Sequence, residues 1–268
     1  MKHILIPVDN TDPSWTAAHC AISMYRDAGI CFYLLPASSL KPIDDDASKT
    51  LIATNYNFKE RVETLELLIA PHQKIIGLSL EGSFITQVKE AVHDNDIDLI
   101  VCTDVFHATH NGQIDAIHTK AIITRIKCPV LIVPHDFKCK PLEQVVLLSD
   151  FNFTHRSKAT NTITDFVDRS QTHLNILQLQ TSNAILTQSQ VENKSFLKTA
   201  LEQFSCSFHS VINKTMDDAL QLFVSIHQVE LVILFAKNIN FLENILFSSE
   251  HYHELNYRKK VPFLIIHE

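Results

Sequence analysis

Glycine is almost missing from this chain: there are four in 268 residues, all before position 113, where average usage would give about 7%. Backbone cradles for phosphate depend on glycine, because a Cβ blocks close approach of N–H groups to the anion. The C-terminal half, with no glycine at all, therefore cannot build a glycine-lined nucleotide loop. Concentrated positive charge is missing too. With 23 Lys+Arg against 30 Asp+Glu the formal charge is -7, and no basic cluster is longer than Arg258-Lys259-Lys260. That argues against a nucleic-acid partner or an anionic membrane surface. No apolar stretch approaches the roughly 20 residues that span a bilayer, and the run in MKHILIPVDN is too short for a signal peptide. A cytoplasmic location is the expectation. Cys20, Cys31, Cys102, Cys128, Cys139 and Cys206 show neither CxxC nor zinc-ribbon spacing. They are expected to be reduced, mostly buried thiols that pack as small hydrophobes.

What the chain does contain is written twice. ILIPVD, ending at Asp9, answers VVLLSD, ending at Asp150; DLIVCT from Asp98 answers ELVILF from Glu230; CPVLIVPH from Cys128 answers VPFLIIHE from Val261. A duplication explains all three correspondences. It predicts two domains, 1–137 and 142–268, joined by the short polar segment around Pro141, each large enough for its own core. Between the anchors, short β-rich apolar runs alternate with helical spacing, the pattern of βαβ units and of a parallel sheet covered on both faces. Five strands per half are predicted, near 3–9, 31–37, 73–79, 98–103 and 129–134, then 144–149, 172–179, 206–212, 230–235 and 262–267. Helices are predicted near 13–28, 48–70, 83–95 and 112–126, then 155–170, 187–204, 215–227 and 241–258. Asp12-Pro13 suits the first helix start, an acceptor followed by a residue whose missing N–H does no harm there.

These residues resemble the universal stress protein family in its tandem form. The resemblance rests on the opening strand that ends at Asp9, on Gly82 opening a helix ahead of DLIV, and on CPVLIVP after a helix, in the family's order and spacing. It implies an α/β architecture of two flavodoxin-like, Rossmann-like domains related to the adenine nucleotide alpha hydrolase fold. Each would be a five-stranded parallel sheet of order 3-2-1-4-5 with helices on both faces, and ligands would lie at the carboxyl ends of strands one and four. It also implies that the last strands of the two halves pair about a pseudo-twofold axis, an intramolecular pseudo-dimer open to further homodimer formation.

Relatives that bind ATP carry a glycine, two residues, a glycine, nine residues, then glycine and serine or threonine. The gapless alignment from Asp98 to Cys128 places Thr103, Phe106, Ala116 and Ile117 at those positions, and none matches. In the second copy Phe235, Asn238, Ser248 and Ser249 stand there, of which Ser249 alone fits. Asp9 and Asp150 match the aspartate that faces adenine in nucleotide-binding relatives. Read from the residues alone, each has a second reading, an aspartate bonding backbone N–H groups in the turn after a strand. Two lost phosphate contacts at about 1.5–3 kcal/mol each remove on the order of two to four decades of affinity.

The resulting expectation is a non-catalytic stress-response or regulatory protein acting through protein contacts or a weakly bound small ligand, without a cofactor. The alternative is an ATP- or AMP-binding protein using Asp9, Asp150, Ser248 and Ser249 with altered loop chemistry, and with residual ATP hydrolysis at most. Phe106, Phe151, Phe153, Phe235, Phe241 and Phe247 gather near the predicted strand ends. They either line an apolar ligand pocket or fill the space a nucleotide would take. His107, His110, His118, His251 and His253 invite a metal reading, but no nearby cysteine completes a zinc set, and none is expected. Ser149-Asp150 with His155 holds the atom types of a triad fragment without a nucleophile elbow.

Overall fold

The computed structural model describes residues 2–9, 12–26, 28–37, 58–104, 117–140, 142–153, 156–180, 185–212, 216–236 and 260–267. It divides into two compact units, Met1–Cys139 and Lys140–Glu268. Among the described residues of unit 1 the elements run β1 (Lys2–Val8), α1 (Asp12–Met24), β2 (Ile30–Pro36), α2 (58–66), β3 (Lys74–Gly77), α3 (Phe84–Asp94), β4 (Leu99–Thr103), α4 (Ile117–Arg125) and β5 (Val130–Val133). Unit 2 contains β6 (Gln144–Leu148), α5 (Arg156–Ser170), β7 (His173–Gln180), α6 (Gln188–Ala200), β8 (Cys206–Ile212), α7 (Met216–His227), β9 (Leu231–Phe235) and β10 (Phe263–Ile266). The helix expected at 241–258 lies outside the described residues.

The strands of unit 1 lie in the hydrogen-bonded order β3-β2-β1-β4-β5, and those of unit 2 in the order β10-β9-β6-β7-β8, the same winding read from the opposite side. Every pairing described is parallel, for instance Ile4 beside Phe32 and Ile100 beside Val130. Continuous apolar runs suit strands covered on both faces, and Ile4, Leu5 and Ile6 are accordingly all fully buried. At the edge of unit 1, β3 is only four residues long and mostly exposed, which limits an unpaired edge. Helix starts follow local chemistry. Ser83 caps α3 by accepting from the Thr86 N–H, while Gly82 before it sits at φ +105, a backbone that side chains rarely adopt. Thr187 and Gln190 form a reciprocal capping box on α6.

One histidine of the unit 2 sheet ties stability to pH. On β8, His209 Nε2 lies 3.0 Å from Asn175 Oδ1 of β7, and its ring packs against Phe223 and His227 of α7 at 4.9 and 5.1 Å between centroids. Burial first, then the nearby His227 and His173, hold the His209 imidazole below its ordinary range. A histidine whose folded pKa is depressed binds fewer protons folded than unfolded, so stability is intact above about pH 6.5 and falls as pH drops through it. Urea midpoints at pH 7.5 and 5.5 are therefore expected to fall more for the wild type than for His209→Gln. Equal falls would contradict this.

Candidate functional site

In an open α/β sheet ligands bind where the winding reverses, at the carboxyl ends of strands one and four. In unit 1 these are the ends of β1 and β4. Asp12-Pro13 starts α1 immediately after β1, which turns Ser14 and Trp15 back onto the strand end. Ser14 Oγ donates to Asp9 Oδ1 at 2.8 Å and accepts the Asp9 N–H at 3.0 Å. Trp15 Nε1 donates to the Asp9 carbonyl at 2.7 Å. Asp9 is thereby buried in the local turn. From α2, Arg61 lies over the Trp15 ring at 5.4 Å and pairs with Asp12 at 2.7 Å.

At the end of β4, Thr103 is fully buried and its carbonyl accepts from Thr119 of α4. The next residue, Asp104, reaches across to the end of β5. Its Oδ1 accepts the His135 N–H at 2.9 Å and the Thr103 hydroxyl at 3.2 Å, while its Oδ2 lies 3.3 Å from His135 Nδ1. Burial pushes the Asp104 carboxyl above its usual range, against the opposing pull of His135. The end of β4 therefore holds a buried threonine and a carboxylate fixed by an imidazole.

Unit 2 solves the same turn differently. Asp150 is exposed, and its Oδ1 accepts the Asn152 N–H at 3.0 Å in a side-chain turn. Phe151 comes next at φ 56 and is fully buried. Its N–H donates to Ser149 Oγ at 3.0 Å. Asn193 of α6, itself buried, donates through Nδ2 to the Phe151 carbonyl at 2.7 Å and the Phe153 carbonyl at 2.9 Å. Gln190 donates to the Asp150 carbonyl at 2.8 Å. Lys194 places its ammonium 5.1 Å from the Phe151 ring centroid, a cation held against a ring face. Phe153 then packs on Phe235, the last residue of β9, with centroids 5.7 Å apart. Both rings are buried, so apolar side chains occupy the space between the strand-one loop and the end of strand four.

Of the residues singled out in the sequence, Asp9 follows β1 and Thr103 ends β4 in unit 1, while Asp150 follows β6 and Phe235 ends β9 in unit 2. Phe106, Ala116, Asn238, Ser248 and Ser249 lie outside the described residues, as do the side chain of Ile117, and His155 of the triad fragment. His107, His110, His251 and His253 lie outside as well, and among the described residues no group of histidine, cysteine, aspartate or glutamate could hold a metal ion. Asn193, Asp104 and His135 were not singled out, because their partners are 40, 42 or 31 residues away in sequence. The cysteine reading needs correction: Cys20 and Cys139 are bonded to each other, and Cys31, Cys102, Cys128 and Cys206 form no disulfide. A pairing across 119 residues leaves no local spacing to read.

Two parallel α/β units of this winding, each with its crevice at the ends of strands one and four, define a protein of the flavodoxin-like class. The sequence model of the universal stress protein family matches residues 1–134, half of the chain, and the chain belongs to that family. Its 268 residues fit the two-domain form. Among solved structures, a universal stress protein from Archaeoglobus fulgidus aligns with a TM-score of 0.65 at 14% identity, covering 99% of this chain and 96% of that one. A putative universal stress protein from Pseudomonas aeruginosa aligns at 0.51 and 10% identity, over 100% and 93%. The cytoplasmic domain of a prokaryotic cation chloride cotransporter aligns at 0.54 and 9% identity, over 98% and 94%. At these identities the likeness is one of fold. No curated protein matches this chain in sequence. Among the described residues no helix is long and apolar enough to cross a membrane.

Proposed function

We propose that this protein is a tandem universal stress protein that works without catalysis, through protein contacts or a weakly held small ligand, with the ATP phosphate loop lost in both halves. The observation that carries this reading is the occupation of strand four's end by side chains in each unit. In unit 1, Thr103 and Asp104 are tied to Thr119 and His135; in unit 2, Phe235 packs against Phe153 with the rings tilted. A carboxylate repels a polyphosphate, and a packed ring denies it the N–H groups that would have to approach. Asp9 is engaged by Ser14 and Asp150 by its own turn, which supports a structural role for both. The reading keeps domains 1–137 and 142–268, their association as an intramolecular pseudo-dimer, and a cytoplasmic setting.

Calorimetry of the full chain with ATP, ADP and AMP tests it. The expected result is no site tighter than about 100 μM, roughly -5.5 kcal/mol. A tighter site would overturn the reading in favour of a nucleotide-binding protein that uses Asp9, Asp150, Ser248 and Ser249 with altered loop chemistry.

A further inference from the structure

The Cys20–Cys139 bond joins two very different environments. Cys20 sits on α1 and is fully buried, whereas Cys139 is partly exposed in the irregular stretch after β5, at the last residue of unit 1. Their Cα atoms are 5.3 Å apart, within the range a disulfide bridges without backbone movement. We propose that this pair is a reversible thiol–disulfide site, exchanging with a small thiol couple of the glutathione class and clamping α1 to the chain's exit from unit 1.

Exposure sets the direction of the chemistry. An incoming thiolate reaches Cys139 Sγ from solvent, attacks it, and forms a mixed disulfide. The Cys20–Cys139 bond breaks, and its electron pair leaves on Cys20 Sγ, which takes up a proton. A second thiol then attacks the mixed disulfide, freeing the Cys139 thiol and releasing the small molecule as its own disulfide. The net exchange is one protein disulfide plus two thiols for one protein dithiol plus one small disulfide, and the reverse sequence re-forms the bond.

The remaining cysteines are poorly placed to compete. Cys31, Cys102 and Cys128 are buried, and burial pushes the Cys102 thiol up to about 12. Cys206 is partly exposed, but burial also raises its thiol, which keeps the reactive thiolate scarce. The clamped helix matters to the site. Ser14 and Trp15, which hold Asp9 at the end of β1, lie on the same α1 as Cys20. Trp15 is also the one tryptophan in the sequence and is buried, so its emission reports on unit 1.

The test uses the full chain equilibrated across ratios of reduced to oxidised glutathione, followed by alkylation and peptide mass mapping. Cys139 is expected to gain and lose label reversibly, while the buried Cys20, Cys31, Cys102 and Cys128 stay protected in the folded chain. Closing so long a loop restrains the unfolded chain, so reduction should lower the Trp15-monitored Tm by about 10 °C. Cys139→Ser should show the lower Tm in every buffer, with Cys20 unlabelled in the folded protein. A bond that never forms under oxidised glutathione would overturn the proposal, as would one that resists excess reduced glutathione while the chain is folded. Label appearing on other cysteines first would also overturn it.

Discussion

Replacing Phe151 by alanine is expected to destabilise the C-terminal unit by about 3–5 kcal/mol, the usual cost of deleting a buried phenylalanine ring. The ring is fully buried and covered on one face by Lys194, so its loss leaves both a void and a lysine without its apolar support. The backbone adds a diagnostic. Phe151 sits at φ 56, where a Cβ costs on the order of 1–2 kcal/mol and glycine does not bear that cost. In an ordinary strand or helix, glycine is worse than alanine by roughly 0.5–1 kcal/mol. Here Phe151→Gly should be at least as stable as Phe151→Ala. Urea unfolding followed by far-ultraviolet circular dichroism would measure both variants. A glycine variant clearly less stable than the alanine one would mean that the left-handed turn is not formed in solution.

That turn marks where the sequence stops being informative. Asp9 and Asp150 occupy matching places in two copies of one pattern, at the ends of ILIPVD and VVLLSD. Within those six residues Ser149, where the first copy has Val8, marks a difference by accepting the Phe151 N–H; the residues immediately C-terminal to each aspartate do the rest. Asp12-Pro13 starts a helix at once, and Ser14 and Trp15 then bury Asp9. Phe151 and Phe153 instead turn inward and leave Asp150 exposed. Strand positions were legible because apolar runs repeat at the right spacing, and parallel sheets covered on both faces require such runs. β6 and β9 fall within a residue of where their runs predict them. The tertiary pairings were not legible. Asp104 with His135, Asn193 with two carbonyls, and Cys20 with Cys139 are each made by chain reversal across 31 to 119 residues, and such partners leave no periodic trace.

The absence of glycine carried further than any positive motif. It motivates the proposed reading, in which close backbone approach to an anion is given up, and the described ends of strand four hold Thr103 and Phe235, each with its side chain buried. The chemistry at these strand ends differs between the units, a carboxylate fixed by an imidazole in one and two tilted, packed rings in the other.

Asn193 gives the second large effect, because one side-chain amide serves two buried carbonyls, of Phe151 and Phe153. Asn193→Ala leaves both acceptors without that donor, at about 1–3 kcal/mol each, so a loss of roughly 2–6 kcal/mol is expected. Asn193→Asp tests the hydrogen bonds more sharply, since its shape is nearly unchanged while the donor becomes an acceptor. A buried carboxylate facing two carbonyl oxygens is disfavoured, so the folded pKa of the introduced acid should lie above its unfolded value of about 3.9. The protonated acid keeps one O–H donor and restores one of the two bonds. The folded variant then binds more protons than the unfolded chain over the interval between the two pKa values, and its stability falls as pH rises through it. This slope is opposite in sign to the one His209 imposes on the wild type. With the wild-type curve subtracted, Asn193→Asp should be less destabilised at pH 5 than at pH 8. A difference curve that is flat or rises with pH would show that Asn193 does not hold the Phe151 loop through its amide donor.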